Sequence, residues 1–338
     1  MHAWVVERQA PIDQRALQLV ELPDPEPAPG EVRVRVRACG VCRTDLHIVE
    51  GDLAPQREGV IPGHEVVGVV DRLGAGAHRF QVGERLGIPW LRSTCGRCRP
   101  CRRGAENLCE RPEFTGWTHH GGYAEFAVAP EAYAYRLPPG LDDEQAAPLL
   151  CAGIIGYRAL CRSGFVPGDR LGIWGFGGSA HLTAQVALAM GAELYVVTRG
   201  GASRGLARSL GATWVGQLEE RPPVPLDAAI SFVPVGDLVP DALGCLGPGG
   251  TLALAGIHVS DIPPLDYQRH LFGERQLRSV TANTRTDGEA FLAIAERIGV
   301  TATTVTYPFG AADEALADLA HGRFAGAGVL RLEDRETP

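Results

Sequence analysis

The chain has 338 residues, which is enough for two domains of ordinary size. Its apolar fraction of 45% and charged fraction of 21% are those of a globular protein, which excludes a disordered or fibrous chain. The net charge of −8 disfavours binding to nucleic acid or to an anionic membrane, and every apolar run is too short to span a bilayer. The first residues lack the apolar segment of a signal peptide, so we expect a cytoplasmic location.

The part of the chain before about residue 140 has the pattern of a β domain. Residues 32–37 alternate Val with Arg, which predicts a strand with one buried and one solvent-exposed face. Glycine-rich turns separate further strands predicted over 65–70, 85–88 and 123–128. This part is therefore expected to form a mainly β, antiparallel sheet.

The second part of the chain has the pattern of an α/β domain. Brief, nearly all-apolar segments predict strands buried on both faces at 170–174, 194–197, 228–232 and 251–255. Residues 179–190 predict a helix whose apolar face carries Leu182, Val186, Ala189 and Met190. The order β-α-β indicates a parallel, doubly wound sheet.

The last part of the chain is expected to rejoin the first domain. Its pattern predicts helices over 287–298 and 311–321 and a final strand over 329–332.

Four cysteines in the order C-x2-C-x2-C-x7-C form a local cluster: Cys95, Cys98, Cys101 and Cys109. Four thiolates suit a closed, tetrahedral structural zinc site. Buried thiols, an iron–sulfur cluster and a zinc-stapled nucleic-acid module are the alternatives. In bacterial ferredoxins the fourth cysteine follows sooner and precedes Pro, whereas here Cys109 precedes Glu110. The acidic chain also disfavours the nucleic-acid module.

A glycine-rich segment follows a predicted strand and opens a predicted helix: Gly175, Gly177, Gly178, Ser179 and Ala180. Glycine lets the backbone approach a pyrophosphate, and the helix N-terminus supplies N–H donors. The segment therefore predicts a dinucleotide site. A tight turn without a ligand is the alternative.

A sparser set of metal-binding residue types comprises Cys42, His64, Glu65 and Cys151. Their spacing alone is a weak signal, because an isolated Cys or His is more often a core residue than a ligand.

The segments CGVCRTDLH and PGHEVVGVV, the four-cysteine lobe and the glycine-rich βαβ unit occur in this order. Together they resemble the zinc-dependent alcohol dehydrogenases of the medium-chain dehydrogenase/reductase family, and the resemblance covers nearly the whole chain. It implies an α/β protein with a GroES-like, mainly β catalytic domain over 1–152, including a structural-zinc lobe at 92–111. It further implies a Rossmann NAD(P)-binding domain over 153–285. After that domain the chain is expected to return to the catalytic domain over 286–338.

The same resemblance implies roles for individual residues. It implies that Cys42, His64 and Cys151 are the ligands of a catalytic zinc with one open position. It also implies that Glu65 is an occasional ligand and that Asp45 orients His64. It gives Thr44 the first position of a proton relay, His47 the outlet to solvent and Arg43 a pyrophosphate contact. The alternatives are that Thr44 is a turn residue and His47 a surface ring.

The implied reaction is reversible hydride transfer between an alcohol or aldehyde and a nicotinamide cofactor, with two zinc ions per subunit. Trp90 resembles a pocket-wall position and Trp117 lies on a loop that can enclose the pocket, which favours primary aliphatic or aromatic alcohols. A polyol or other secondary-alcohol dehydrogenase and a zinc-free quinone or enone reductase of the same fold are the alternatives. The relatives imply a homodimer or homotetramer.

The end of the second parallel strand bears on the choice of cofactor. An NAD-selective site places a carboxylate there, about 20 residues beyond the glycine turn. This strand ends in Thr198 instead, and Arg199 and Arg204 follow. Because guanidinium groups suit a 2′-phosphate, the sequence favours NADP over NAD. The alternative is that both arginines face solvent.

Overall fold

A computed structural model describes residues 1–333, in two compact units. Unit 1 comprises Met1–Cys151, Ala282–Ala293 and residues 302–333, and unit 2 comprises Ala152–Thr281 and Ile294–Thr301. Residues 334–338 end the segment that is predicted to return to the catalytic domain, and they lie outside the described residues. The assignment of the predicted segments to a catalytic and a cofactor-binding domain stays a prediction.

The described residues form seventeen strands and nine α-helices. The strands are β1 (His2–Val6), β2 (Leu17–Glu21), β3 (Glu31–Val41), β4 (Val66–Leu73), β5 (Arg85–Ile88), β6 (Leu91–Ser93), β7 (Glu113–Phe114), β8 (Phe126–Pro130), β9 (Tyr135–Arg136), β10 (Arg170–Trp174), β11 (Glu193–Val197), β12 (Trp214–Gly216), β13 (Leu226–Ser231), β14 (Leu246–Leu254), β15 (Gln276–Ser279), β16 (Thr304–Pro308) and β17 (Ala327–Arg331). The helices are α1 (Arg43–Glu50), α2 (Arg99–Arg102), α3 (Asp143–Ala146), α4 (Ala152–Arg162), α5 (Gly178–Ala189), α6 (Gly201–Ser209), α7 (Val239–Gly244), α8 (Arg285–Ile298) and α9 (Ala312–His321).

Unit 1 is built on a seven-stranded sheet with the order β16-β17-β3-β4-β5-β9, in which β8 also pairs with β3. The strands of this sheet that come from the first 140 residues pair antiparallel, as expected. Strands β16 and β17, from the end of the chain, run parallel to each other. The valines of β3 lie in the core as the alternation predicts. Arg33 differs from the prediction: it is buried because its guanidinium donates to Asp71 Oδ2 at 2.8 Å and to the Pro25 carbonyl oxygen at 3.0 Å.

Unit 2 is built on a six-stranded sheet with the order β12-β11-β10-β13-β14-β15, and every pair of neighbours is parallel. This order reverses direction between β10 and β13. Open parallel sheets bind ligands beyond the carboxyl ends of the strands at such a reversal. The predicted α/β class and the doubly wound parallel sheet are confirmed.

Helix α5 differs from its predicted amphipathic pattern. Leu182 and Val186 are buried as expected, but Ala189 and Met190, assigned to the same face, are exposed. His181, Thr183 and Ala184 are buried instead, on other sides of the helix. The helix is thus enclosed on most of its circumference, and a single apolar face is not what positions it.

None of the helices in residues 1–333 combines the length and the apolar composition that crossing a bilayer requires.

Candidate functional site

Four side chains from three distant places in the sequence meet in unit 1. Cys42 lies between β3 and α1, His64 and Glu65 directly precede β4, and Cys151 directly precedes α4. One ligand atom from each of the four lies within 4.8 Å of the others. His64 and Glu65 are buried, and both cysteines are partly buried. The structure therefore brings together the residues that the resemblance assigned to one metal site.

Asp45 orients the histidine of this group. Its Oδ1 lies 2.9 Å from His64 Nδ1 and accepts the Gly63 N–H at 2.9 Å, and its Oδ2 accepts the Cys42 N–H at 3.1 Å. Both the Asp45 and the His64 side chains are fully buried. A carboxylate at Nδ1 fixes the proton there and leaves Nε2 as the ligand atom.

The backbone around His64 depends on a glycine. Gly63 has φ +96°, and a Cβ atom there would lie 2.4 Å from Cδ1 of Tyr123. A larger residue would therefore be strained in its backbone and would also displace the Tyr123 ring.

Electrostatics within the group favour a bound cation. A hydrogen bond from Cys151 holds the pKa of the Cys42 thiol well below its usual value, and the same contact together with burial raises the pKa of Cys151. Burial lowers the pKa of His64, but Asp45 and Cys42 more than offset this and raise it well above its usual value. A thiol whose pKa is lowered is available as a thiolate, which is the form that binds metal ions.

The donor set fits zinc. Two thiolates and one imidazole are ligands that zinc prefers, and a catalytic zinc keeps three protein ligands and an open position. His64 Nε2 is buried and has no hydrogen-bond partner in the described structure, as expected for a nitrogen that binds a metal ion.

The four-cysteine cluster is also assembled. Cys95, Cys98, Cys101 and Cys109 have sulfur atoms within 4.8 Å of one another, with Cys98 and Cys101 3.3 Å apart. Backbone N–H groups of Cys98 and Arg111 donate to the sulfurs of Cys95 and Cys109, each at 3.4 Å. Hydrogen bonds from the N–H groups of Arg97 and Cys98 lower the pKa of Cys95 to about 6. None of the nine cysteines forms a disulfide.

The predicted relay residues lie on α1, three positions apart, and therefore share one face of the helix. Thr44 is buried, and its Oγ1 lies 3.8 Å from Cys42 Sγ. His47 Nδ1 lies 2.7 Å from Asp52 Oδ2. Asp52 is a residue that the sequence analysis missed; its position two residues after α1 ends gave no signal.

Aromatic rings stack beside the histidine. The Trp90 ring meets His64 edge-on at 4.9 Å and stacks on Phe114 at 4.7 Å and on Trp117 at 6.0 Å between centroids. Trp117 Nε1 donates to the Ala54 carbonyl oxygen at 2.9 Å. The two predicted tryptophans are thus brought together, and Phe114 joins them without having been predicted.

The glycine turn of unit 2 joins β10 to α5. Gly175 has φ +80°, and a Cβ there would lie 2.8 Å from Val233 Cγ2. At Gly177, which precedes the first residue of α5, a Cβ would meet nothing within 4 Å. The turn is therefore open beside the N–H groups of Gly178, Ser179 and Ala180, which is the arrangement a pyrophosphate requires.

The residues after β11 carry no carboxylate. Thr198 is buried, and the Arg204 guanidinium donates to the carbonyl oxygens of Thr198, at 3.3 Å, and Arg199. Arg199 itself is exposed. In unit 1, Arg43 is exposed and donates to the Leu319 carbonyl oxygen at 3.5 Å.

Two family models match the chain. The alcohol dehydrogenase GroES-like domain matches residues 28–139, and the zinc-binding dehydrogenase model matches residues 178–297.

Proteins similar over nearly the whole chain include alcohol dehydrogenases. The "probable alcohol dehydrogenase AdhA" of Mycobacterium tuberculosis is 58% identical over 337 residues, which cover 98% of this chain and 97% of the relative. The crystal structure of CAD from Helicobacter pylori complexed with NADP(H) has a TM-score of 0.88 and 25% identity, with coverage of 98% and 97%. The cobalt and zinc bound thermostable alcohol dehydrogenase from Pyrobaculum aerophilum has a TM-score of 0.88 and 28% identity, with coverage of 98% and 99%.

The chain therefore belongs to the zinc-dependent alcohol dehydrogenases of the medium-chain dehydrogenase/reductase family. This membership confirms the predicted fold and enzyme class, with zinc and a nicotinamide cofactor. The roles of individual residues stay predictions.

Proposed function

We propose that the protein interconverts primary aliphatic or aromatic alcohols with their aldehydes, using two zinc ions per subunit and NADP in preference to NAD. The observation that carries this proposal is the group of Cys42, His64 and Cys151 with Trp90 against the histidine ring. Thiolate and imidazole donors suit a catalytic zinc, and the indole supplies an apolar wall beside it.

In this proposal the protein's own residues bind and orient the reactants. Cys42, His64 and Cys151 would hold one zinc ion, with Glu65 beside them as an occasional ligand. Asp45 keeps His64 Nε2 turned toward the sulfur atoms through its contact at Nδ1. A zinc ion so held lowers the pKa of a hydroxyl group and polarises a carbonyl group.

The proton of the alcohol needs a path to water. Thr44 supports that path because its hydroxyl is buried next to Cys42, where a substrate oxygen would lie. The hydroxyl accepts the proton and passes its own toward His47, and Asp52 keeps the His47 ring oriented through Nδ1. A neutral imidazole with a carboxylate at Nδ1 accepts a proton at Nε2.

The pocket wall supports a preference for unbranched substrates. Trp90 is only 7% exposed, and its ring is held between His64, Phe114 and Trp117. A ring held on three sides does not move aside for a branched carbon next to the hydroxyl. This favours primary alcohols over secondary alcohols and polyols.

The second zinc ion would be structural. Cys95, Cys98, Cys101 and Cys109 supply four sulfur donors, which fill a tetrahedral ion completely and leave no position for substrate. The lobe therefore contributes stability and not chemistry.

The cofactor would bind with its pyrophosphate at the turn of Gly175, Gly177 and Gly178. Arg43 remains the proposed second contact of the pyrophosphate. The preference for NADP rests on the residues after β11, where Thr198 stands in place of a carboxylate and Arg199 and Arg204 follow. A cation there attracts a 2′-phosphate, whereas a carboxylate would repel it.

We also propose that the protein is a homodimer or homotetramer that works in the cytoplasm on a small-molecule substrate. Strand β15 is the edge of its sheet, and the connection between β14 and β15 exposes Tyr267 at 61% and Phe272 at 56%. Exposed aromatic residues near an unpaired strand edge favour association. Light scattering of the Tyr267→Asp/Phe272→Asp variant should give a smaller particle, and Val82→Asp, at another exposed apolar residue, should not. A monomeric wild-type protein would contradict this proposal.

The experiment that tests the substrate and the cofactor is a steady-state panel. The values of kcat/KM are measured with NAD and with NADP for five substrates: ethanol, a longer unbranched alcohol, benzyl alcohol, 2-propanol and a polyol. The reduction of the aldehydes is measured in the same way with the reduced cofactors. The proposal expects the primary alcohols with NADP to give the highest values. Higher values for the secondary alcohol or the polyol would contradict it.

A further inference from the structure

Tyr123 is a fully buried side chain beside the metal-ligand group, and the sequence analysis assigned it no role. Its segment runs along the residues that precede His64. The N–H groups of Gly121, Gly122 and Tyr123 donate to the carbonyl oxygens of Ile61, Gly63 and Pro62 at 2.7, 2.8 and 3.0 Å. Tyr123 is therefore anchored by its backbone to the segment that ends in His64.

The side chain of Tyr123 makes two further contacts with this group. Its ring lies against Gly63, where a Cβ would approach Cδ1 to 2.4 Å. Its hydroxyl donates to Asp45 Oδ2 at 3.3 Å. The phenol therefore touches both the backbone that carries His64 and the carboxylate that orients it.

Asp45 is a buried carboxylate whose two oxygens have different donors. Oδ1 is shared by Gly63 N–H and His64 Nδ1, and Oδ2 by Cys42 N–H and the Tyr123 hydroxyl. Loss of the hydroxyl leaves Oδ2 with the Cys42 N–H alone in a site without water contact. A buried carboxylate that loses a donor has an unsatisfied oxygen and is free to rotate toward the remaining donors.

We propose that Tyr123 is a positioning residue for the metal site, which acts through Asp45 to keep the His64 ring aimed at Cys42 and Cys151. This inference rests on the proposed function, because it takes those three residues as zinc ligands. Groups that orient metal ligands contribute about tenfold or more to metal affinity. The hydroxyl, and not the ring alone, carries the effect.

The test compares Tyr123→Phe with Tyr135→Phe. Tyr135 is a matched control because it is also buried in unit 1 and its hydroxyl donates to a backbone oxygen, that of Arg285, at 3.4 Å. Zinc content is measured first, and the release of each zinc ion to a chromophoric chelator is then followed over time, alongside Tm and kcat. We expect one of the two zinc ions to leave Tyr123→Phe about tenfold faster, with the other rate and Tm unchanged.

The control variant should release both ions at the wild-type rates. Wild-type rates of zinc release in Tyr123→Phe would overturn the inference. Faster release of both ions together with a lower Tm would also overturn it, because the hydroxyl would then have a general structural role. A wild-type protein that holds zinc only at the four-cysteine lobe would contradict the proposed function itself. The two failures are therefore distinguishable.

Discussion

His64 shows how much of the proposed metal site depends on residues that would not bind the metal. Its Nδ1 meets Asp45 at 2.9 Å, its backbone position depends on Gly63 with φ +96°, and its ring edge meets Trp90. The motif PGHEVVGVV selected His64 as a proposed ligand by resemblance, and the structure brings His64 together with Cys42 and Cys151. Tyr123 was not predictable, because its contact with Asp45 joins residues far apart in the chain and no local spacing encodes it.

The first prediction at the residue scale concerns Asp52. We expect Asp52→Asn to lower kcat about tenfold near neutral pH with little change in KM, because the amide cannot keep His47 in the tautomer that accepts a proton at Nε2. Steady-state kinetics with a primary alcohol measure this. Asp13→Asn is the control, since Asp13 also contacts a histidine, His321 at 3.1 Å, but lies in no proposed site. An unchanged kcat in Asp52→Asn would show that His47 is a bystander.

The second residue-scale prediction concerns Trp90. Replacement by Ala removes the indole that contacts His64, so branched substrates gain room next to the reacting carbon. We expect the ratio of kcat/KM for 2-propanol to that for ethanol to rise about tenfold, which is the discrimination that one or two methyl groups provide. Trp214→Ala, in unit 2, is the control. A wild-type ratio in Trp90→Ala would contradict a steric role of the indole.

At the scale of elements, local signals predicted local structure well. The cysteine lobe and the turn between β10 and α5 each lie within a short stretch of chain, so their residue spacing determines what they form. Strand β10 was predicted with its observed limits, and β5 likewise. The strand expected over 123–128 starts only at Phe126, because residues 121–123 are held by the segment before His64.

The cysteine lobe gives a prediction about stability. Cys98→Ser removes one of four sulfur donors, and we expect the protein to lose one zinc ion and about 10 °C in Tm, since a structural zinc contributes directly to folding. Cys161→Ser, at an exposed cysteine outside both donor groups, is the control for differential scanning fluorimetry. A Cys98→Ser protein with wild-type Tm and two zinc ions would refute the structural role.

The residues after β11 give a prediction about the cofactor. Because Arg204 is fixed against the carbonyl oxygens of Thr198 and Arg199, its guanidinium stays at the strand end where the ribose is expected. We expect Arg199→Ala and Arg204→Ala each to lower kcat/KM for NADP about tenfold and to leave the NAD value nearly unchanged. Arg208→Ala, an exposed arginine later in α6, is the control. Equal losses with both cofactors would mean that the arginines do not bind the 2′-phosphate.

At the scale of the whole molecule, composition and element order were sufficient for the fold class but not for the site. The proposed catalytic donor group contains Cys42 from just after β3, His64 from just before β4 and Cys151 from just before α4. Only the packing of unit 1 brings these three residues within 4.8 Å of one another. The resemblance supplied this set because it carries information about the folded chain that spacing lacks.

The claim on which this account depends is that two donor groups bind zinc and that one of them performs the chemistry. It is tested most directly by measuring zinc per subunit and alcohol turnover together in the wild-type protein and in Cys151→Ser. We expect two zinc ions and turnover in the wild type, and in the variant about one zinc ion, a Tm close to the wild-type value and no measurable turnover, because the four-cysteine lobe stays intact. Wild-type turnover in Cys151→Ser would contradict the account.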